Sequence, residues 1–141
     1  MRGMADLEGL SSLIIEFYER LSSWEHAVVR DSSLTLPQMH TLEILGQHTT
    51  LRMKELAAKM GVTTGTLTVT VDRLEKAQLV ARAPNESDRR SFLVELTPRG
   101  REIFEQHHKL HLDLTRELAA ALSGGEAAEL EILLRKLNQA F

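Results

Sequence analysis

Apolar residues recur along most of this chain at helical spacing, and the breaks in that rhythm mark its boundaries. Leu10, Ile14, Phe17, Leu21 and Trp24 follow one another at three- and four-residue steps, and Ile15 and Tyr18 widen the stripe. The pattern predicts a first helix from Leu7 to Val29, ended by Arg30-Asp31-Ser32-Ser33. A second helix is expected from Leu36 to Leu45, with Thr35 or Leu36 at the N-cap and Gly46 closing it. Pro37 falls in its first turn, where the missing N–H costs nothing. After the polar Q-H-T-T, Arg52 to Met60 reads as a short helix with Met53, Leu56, Ala57 and Met60 inward. Gly61 supplies a tight turn, Val62 is expected to plug the space between two helices, and Thr63 caps the next one. That helix runs from Thr64 to about Ala77. Its β-branched residues are poor helix formers, but Leu67, Val71 and Leu74 keep helical spacing.

The period then changes. Leu79 to Ala83 and Ser91 to Leu96 alternate and predict two short strands around a charged tip, P-N-E-S-D-R-R. Thr97 caps and Pro98 opens a long helix reaching about Leu122. Ser123-Gly-Gly-Glu126 stops it and offers a capping box for a last helix, Glu126 to Asn138, striped by Leu130, Leu133, Leu134 and Leu137. The expected fold is therefore mainly α with a small β wing. The stretch from Met53 to Leu96 is a winged helix-turn-helix, a shape that lays its second helix in the DNA major groove. The chain reads as a single domain, 1–141, with the winged part at 35–97. The terminal helical regions, 5–30 and 98–141, carry more apolar surface than so small a core covers. They are expected to be dimerisation helices, packed on the same elements of a second copy. The alternative is a monomer in which they fold back on the core.

Charge sharpens this picture. The chain has a formal net charge of −3, at first sight wrong for a partner of DNA. From Arg52 to Arg101, however, 10 Lys/Arg face 6 Asp/Glu, and the remainder is strongly acidic. A basic segment on an acidic body suits a module that meets phosphate through one face. There is no Cys, so disulfides and thiolate metal sites are excluded and any metal needs His, Asp or Glu. No apolar run approaches the ~20 residues of a membrane span. The N-terminal M-R-G-M-A-D-L-E has no apolar signal core, so a cytoplasmic protein with no membrane partner is expected.

On the helix beginning at Thr64, Gly65, Val69, Asp72 and Lys76 lie opposite the buried line, with Thr68 and Arg73 at the flanks. Gly65 permits close backbone approach. Thr63, Thr64 and Thr66 can reach phosphates at the helix start, where free N–H groups also point. Thr68 and Val69 suit a thymine methyl. Arg52 and Lys54 add positive charge at the head of the preceding helix. With few base-reading side chains on this face, much of the specificity is expected from groove shape. At the wing tip, Asp88-Arg89-Arg90 offers a guanidinium for the minor groove, with Asp88 placed to hold Arg90. Solvated charge and surface filler are the plain alternatives for both sets.

These residues resemble the MarR family of bacterial transcription regulators. The matching pieces are L-T-L-P-Q at 34–38, M-K-E-L-A-A-K-M-G-V at 53–62, V-D-R-L-E-K-A-Q-L-V at 71–80, D-R-R at 88–90 and L-T-P-R-G at 96–100. The resemblance covers nearly the whole chain. It implies a triangular homodimer held by the first, fifth and sixth helices, bound to palindromic promoter DNA and in most cases repressing it. It also implies that Arg90 is the minor-groove residue and Asp88 its holder. One departure is Gln78 where the family usually has Gly, which bears on the shape of the turn there.

Six histidines remain to be placed. His107 and His111 share a face of the long helix with Ile103, Phe104, Leu110, Leu114 and Leu118, and make an i, i+4 half-site for zinc or another divalent metal. His40 with Glu25 or His26 would complete it. His108 is turned away towards solvent. Two branches of the family carry His at matching positions. The zinc-responsive repressors of zinc-uptake genes imply His40, His107 and His111 as ligands, although this chain has Met39 where an acidic ligand is expected and lacks that branch's His-rich run. The regulators of fatty-acid-synthesis genes look closer in M-H-T-L-E-I-L-G at 39–46, V-T-T-G-T-L-T-V-T at 62–70 and H-K-L-H at 108–111; there the same histidines would line a pocket for an acyl or other organic small molecule. Purely structural histidines are the third reading. The function expected is a non-enzymatic, ligand-modulated DNA-binding regulator. A histidine-liganded metal-dependent enzyme and a non-DNA-binding dimeric scaffold are the alternatives, and no phosphate loop, nucleophile motif or cofactor fingerprint favours the enzyme.

Overall fold

The computed structural model describes residues 4–141; the first three residues of the N-terminal stretch read above for a leader lie outside the described residues. Nine elements follow in chain order: α1 (Leu7–Arg30), α2 (Leu36–Gln47), β1 (Leu51–Arg52), α3 (Met53–Met60), α4 (Thr64–Lys76), β2 (Val80–Pro84), β3 (Phe92–Leu96), α5 (Pro98–Ala119) and α6 (Gly124–Asn138). All six expected helices are present within a few residues of their expected ends. The capping chemistry accounts for their starts. Thr35 and Gln38 form a reciprocal capping box on α2, Thr63 accepts the Thr66 N–H on α4, and Ser123 and Glu126 close a second box on α6. In that box the Ser123 backbone N–H, with its hydroxyl second, holds the Glu126 carboxyl below the usual carboxylate range.

The wing and the end of α2 differ from expectation. The wing is three-stranded, with order β1-β3-β2, because Leu51 and Arg52 pair antiparallel with Val94 and Leu93. Arg52 therefore belongs to a strand and caps α3 rather than opening it. Gly46 does not end α2, which continues to Gln47. Its function is close approach: a Cβ at Gly46 would lie 2.3 Å from the Phe104 ring of α5. Leaving out that methyl lets α2 and α5 pack backbone to ring.

The core joins Leu42 and Leu45 of α2, Leu56 and Ala57 of α3, Leu67, Val71 and Leu74 of α4, and Leu79, Val80 and Val94 of the wing base. Leu67, Val71 and Leu74 are completely buried. At about 1.5–3 kcal/mol for each fully buried apolar side chain, that face outweighs the poor helix propensity of the threonines around it. Val62, expected as a plug, is instead exposed.

The junction between α4 and the wing is fixed at one corner. Gln78 adopts a left-handed conformation, φ 62°, so the turn keeps the shape that Gly would give it. Immediately after it, the Leu79 carbonyl accepts the Thr97 N–H at 3.1 Å, and the Thr97 hydroxyl donates to the Gln78 carbonyl at 2.7 Å. Gly100 lies so close that a Cβ there would meet the Leu79 oxygen at 1.9 Å.

In contrast, α1 and α6 are thinly covered. Val29 is the only buried residue of α1, and α6 has none. Ile14, Phe17, Leu133 and Leu134 are each about half exposed. Among the described residues, no helix is long and apolar enough to cross a membrane.

Two stability effects follow. Gly100→Ala is expected to cost roughly 1–3 kcal/mol, because backbone must move to admit the methyl. Urea unfolding checks this, and an unchanged midpoint would show that α5 can slide off Leu79. Gln78→Gly should stabilise by up to about 1 kcal/mol, since it removes the left-handed penalty at that position; a lower melting temperature would contradict the strain assigned there.

Candidate functional site

The exposed face of α4 and the exposed wing tip belong to elements that are tied together, since Arg82 of β2 bonds to α4. Thr63, Thr64, Gly65, Thr66, Thr68 and Val69 are all solvent-exposed at the start and middle of the helix. Several threonine hydroxyls are already engaged: Thr63 accepts the Thr66 N–H at 3.2 Å, and Thr68 donates to the Thr64 carbonyl at 2.7 Å. These bonds fix the rotamers and leave the methyl groups available for apolar contact. Val69 is 52% exposed, a large apolar side chain presented to solvent in mid-helix. Arg73 and Lys54 are exposed on flanking positions. Arg52, also exposed, lies 3.6 Å from Glu55, so part of its charge is spent locally.

At the wing tip Arg89 and Arg90 are exposed. Asp88, expected to hold Arg90, touches it through the main chain: its carboxylate accepts the backbone N–H of Arg90 at 3.0 Å. The guanidinium is left unrestrained by it. The residue that organises the tip is Asn85, which is buried although polar. Its amide donates to the Ser91 hydroxyl at 3.0 Å, its side-chain oxygen accepts the Ser87 N–H at 3.1 Å, and its carbonyl accepts the Asp88 N–H. The N-E-S-D run was legible as a turn, and Asn at its head is the residue type that bonds its own backbone.

Arg82 is a second residue that sequence reasoning missed. It projects from β2 to the recognition helix, donating to Glu75 at 2.8 Å and to Asp72 at 2.5 Å. The Asp72 hydrogen bond, opposed by burial and helped by both carboxylate charges, raises the guanidinium's pKa further. Asp72 and Glu75, one turn apart on α4, were the available signal. The pair of bonds fastens the wing to α4 and offsets the charge of two exposed carboxylates on that helix.

The histidines gather differently from expectation. His107 Nε2 lies 2.7 Å from Glu25 Oε1 and 2.9 Å from Glu43 Oε1. His111 Nε2 lies 2.9 Å from Glu25 Oε2, 3.0 Å from Glu43 Oε1 and 3.1 Å from His107 Nε2. The cluster thus joins α1, α2 and α5. His107, His111 and Glu25 are where the sequence put them. His40 and His26 are not members. His40 is exposed and lines an open hollow of about 440 Å³ together with Leu36, Pro37, Met60, Val62 and the cluster's Glu25 and Glu43, but its ring nitrogens do not converge with the cluster's donor atoms. His26 bonds to its own helix, Nδ1 to the Ser22 carbonyl at 2.7 Å. Glu43 takes the place assigned to His40, since it lies one turn beyond the buried Met39 and so turns inward. His108 is exposed as expected, stacked on Phe104.

Comparison with known proteins agrees with this element order. Residues 34–92 match the MarR family. The chain is 42% identical over 86 residues to YfiV, an uncharacterized HTH-type transcriptional regulator of Bacillus subtilis, an alignment covering 60% of this chain and 54% of that protein. It therefore spans little more than half the length of the first curated relative it matches. Likeness to solved structures extends further. A MarR family protein from Bacillus stearothermophilus superposes with a TM-score of 0.86 at 26% identity, over 98% of each chain. A mutant MarR from E. coli, complexed with operator DNA, superposes with a TM-score of 0.73 at 32% identity, over 94% of this chain and 95% of that one. The likeness to these two structures runs over nearly the whole chain, at 32% identity for the second, and the chain belongs to the MarR family.

Proposed function

We propose that the protein is a transcription regulator and not an enzyme, a repressor that binds palindromic promoter DNA as a homodimer. The observation that carries this is the exposed, threonine-rich face of α4 together with the exposed Arg89 and Arg90 of a wing that Arg82 fastens to that helix. Its likeness to a MarR bound to operator DNA supports the same reading. The start of α4 offers free N–H groups and threonines to phosphate, Thr68 and Val69 offer methyl groups to thymine, and Arg90 reaches the adjacent minor groove. The half-exposed apolar faces of α1 and α6 are what a second copy covers. Two recognition helices then meet half-sites about 34–36 Å apart, so an effector that alters their separation by a few ångströms changes affinity. The residues between α1, α2 and α5 stand where such an effector would act. Repression follows from occupancy of the promoter.

The direct test is titration of promoter DNA upstream of the gene, by fluorescence anisotropy at several salt concentrations. Specific binding with a steep salt dependence is expected, and no binding at moderate salt would favour a dimeric scaffold. Arg90→Ala should weaken binding by about 1–3 kcal/mol, roughly ten- to a hundredfold. An undiminished affinity would remove the wing from the interface. Arg82→Ala should also weaken DNA binding, although Arg82 itself faces α4. Arg82→Lys should recover part of the loss, and equal affinity in both variants and the parent would sink the bridging role.

A further inference from the structure

We propose that Glu25, Glu43, His107 and His111 form a binding site for one divalent first-row transition metal ion, and that this ion is the effector. The second clause rests on the DNA-binding reading above; the first does not. Hydrogen bonding alone does not account for the cluster. His107 Nε2 faces three groups at once, Glu25, Glu43 and His111, at 2.7, 2.9 and 3.1 Å. An imidazole nitrogen carries at most one proton and can satisfy one of them well. His111 Nε2 faces the same two carboxylates and His107. A cation at the centre satisfies all four side chains together. The donor separations approach the roughly 3.0–3.4 Å edges of a coordination polyhedron with bonds of ~2.0–2.1 Å. Among the described residues this is the one group of three or more potential ligands that converges in this way.

The chemistry narrows the ion. Two imidazole nitrogens and two carboxylate oxygens suit zinc, manganese or iron(II). Magnesium and calcium prefer all-oxygen sites, and copper(I) prefers sulfur. Two carboxylates with two neutral imidazoles carry −2, matched by a divalent ion. The set is not the one implied by resemblance to the zinc-uptake repressors, since α2 contributes Glu43 and not His40.

The regulatory consequence follows from where the ligands sit. α2 and α5 are already packed against each other through Gly46 and Phe104. α1 has Val29 as its sole buried residue, and Glu25 is its tie to the cluster. An ion held by all three helices fastens the dimer-forming α1 to the body that carries α4. The donors already lie near coordination distance, so the ion strengthens the present arrangement instead of creating another. Ordering α1 beforehand removes that cost from the DNA-binding step, so the ion raises DNA affinity.

The test starts with chelator-stripped full-length protein titrated with Zn²⁺, and separately with Mn²⁺ and Fe²⁺, in competition with a chromophoric chelator. One ion per chain is expected for at least one of the three. Glu43→Gln and His111→Gln should each lose at least about tenfold in affinity, and His40→Gln should lose nothing. Circular dichroism shows whether each variant is folded; if one is not, the other decides. No stoichiometric binding, or full affinity in both ligand variants, overturns the site. Promoter-DNA affinity is then measured with the bound metal and with chelator, and a rise of about tenfold with metal is expected. Normal metal binding with unchanged DNA affinity overturns the effector role, a weaker affinity overturns the direction argued for it, and both leave the DNA-binding reading standing. No DNA binding in either condition overturns that reading and the effector role together, and the metal titration judges the site by itself.

Discussion

The carbonyl of Leu79 is the point on which the reading surface depends. It terminates the left-handed turn at Gln78, accepts the N–H of Thr97, and lies against the bare backbone of Gly100. Three elements meet there: α4, the wing and the long helix α5. Because the contact is backbone to backbone, with no side chain to flex between, the direction in which α4 leaves the core is coupled to the direction of α5. Arg82 repeats the coupling on the outer side, from β2 to Asp72 and Glu75. α4, the wing and α5 are thus tied at two places, by backbone at Leu79 and by side chain at Arg82.

The helices were legible because each repeats an apolar stripe over two or more turns, and α2, α4, α5 and α6 also carry recognisable N-caps. What escaped was too short or chemically ambiguous. β1 has two residues, Leu51 and Arg52, and two residues cannot display alternation. Gly46 was read as a stop, because glycine ends helices and also lets another chain approach. Only the position of Phe104, far along the sequence, separates the two uses.

The candidate sites divide along similar lines. The exposed residues of α4 were found from helical phase, which needs no tertiary knowledge once the buried line is known. Asp88 was found, but its partner atom was not, since sequence cannot tell a backbone N–H from a guanidinium. In the histidine cluster, the i, i+4 pair on α5 was visible and its partners were not. Histidine drew the eye to His40, whereas Glu43 resembled an ordinary solvated carboxylate. The choice between them is a rotation of less than one helical turn on α2, set by how Met39 and Leu42 seat in the core.

The apolar faces of α1 and α6 have a consequence beyond assembly. If a second copy covers Phe17, Ile14, Leu133 and Leu134, as proposed above, much of the folding free energy arrives only on association. For such a protein folding and association are one equilibrium, and the folded population rises with the square of the free chain concentration at low abundance. Copy number then becomes an input in its own right. Below a threshold, unpaired chains are exposed to proteolysis. Above it, the paired form climbs more steeply than the amount of protein made.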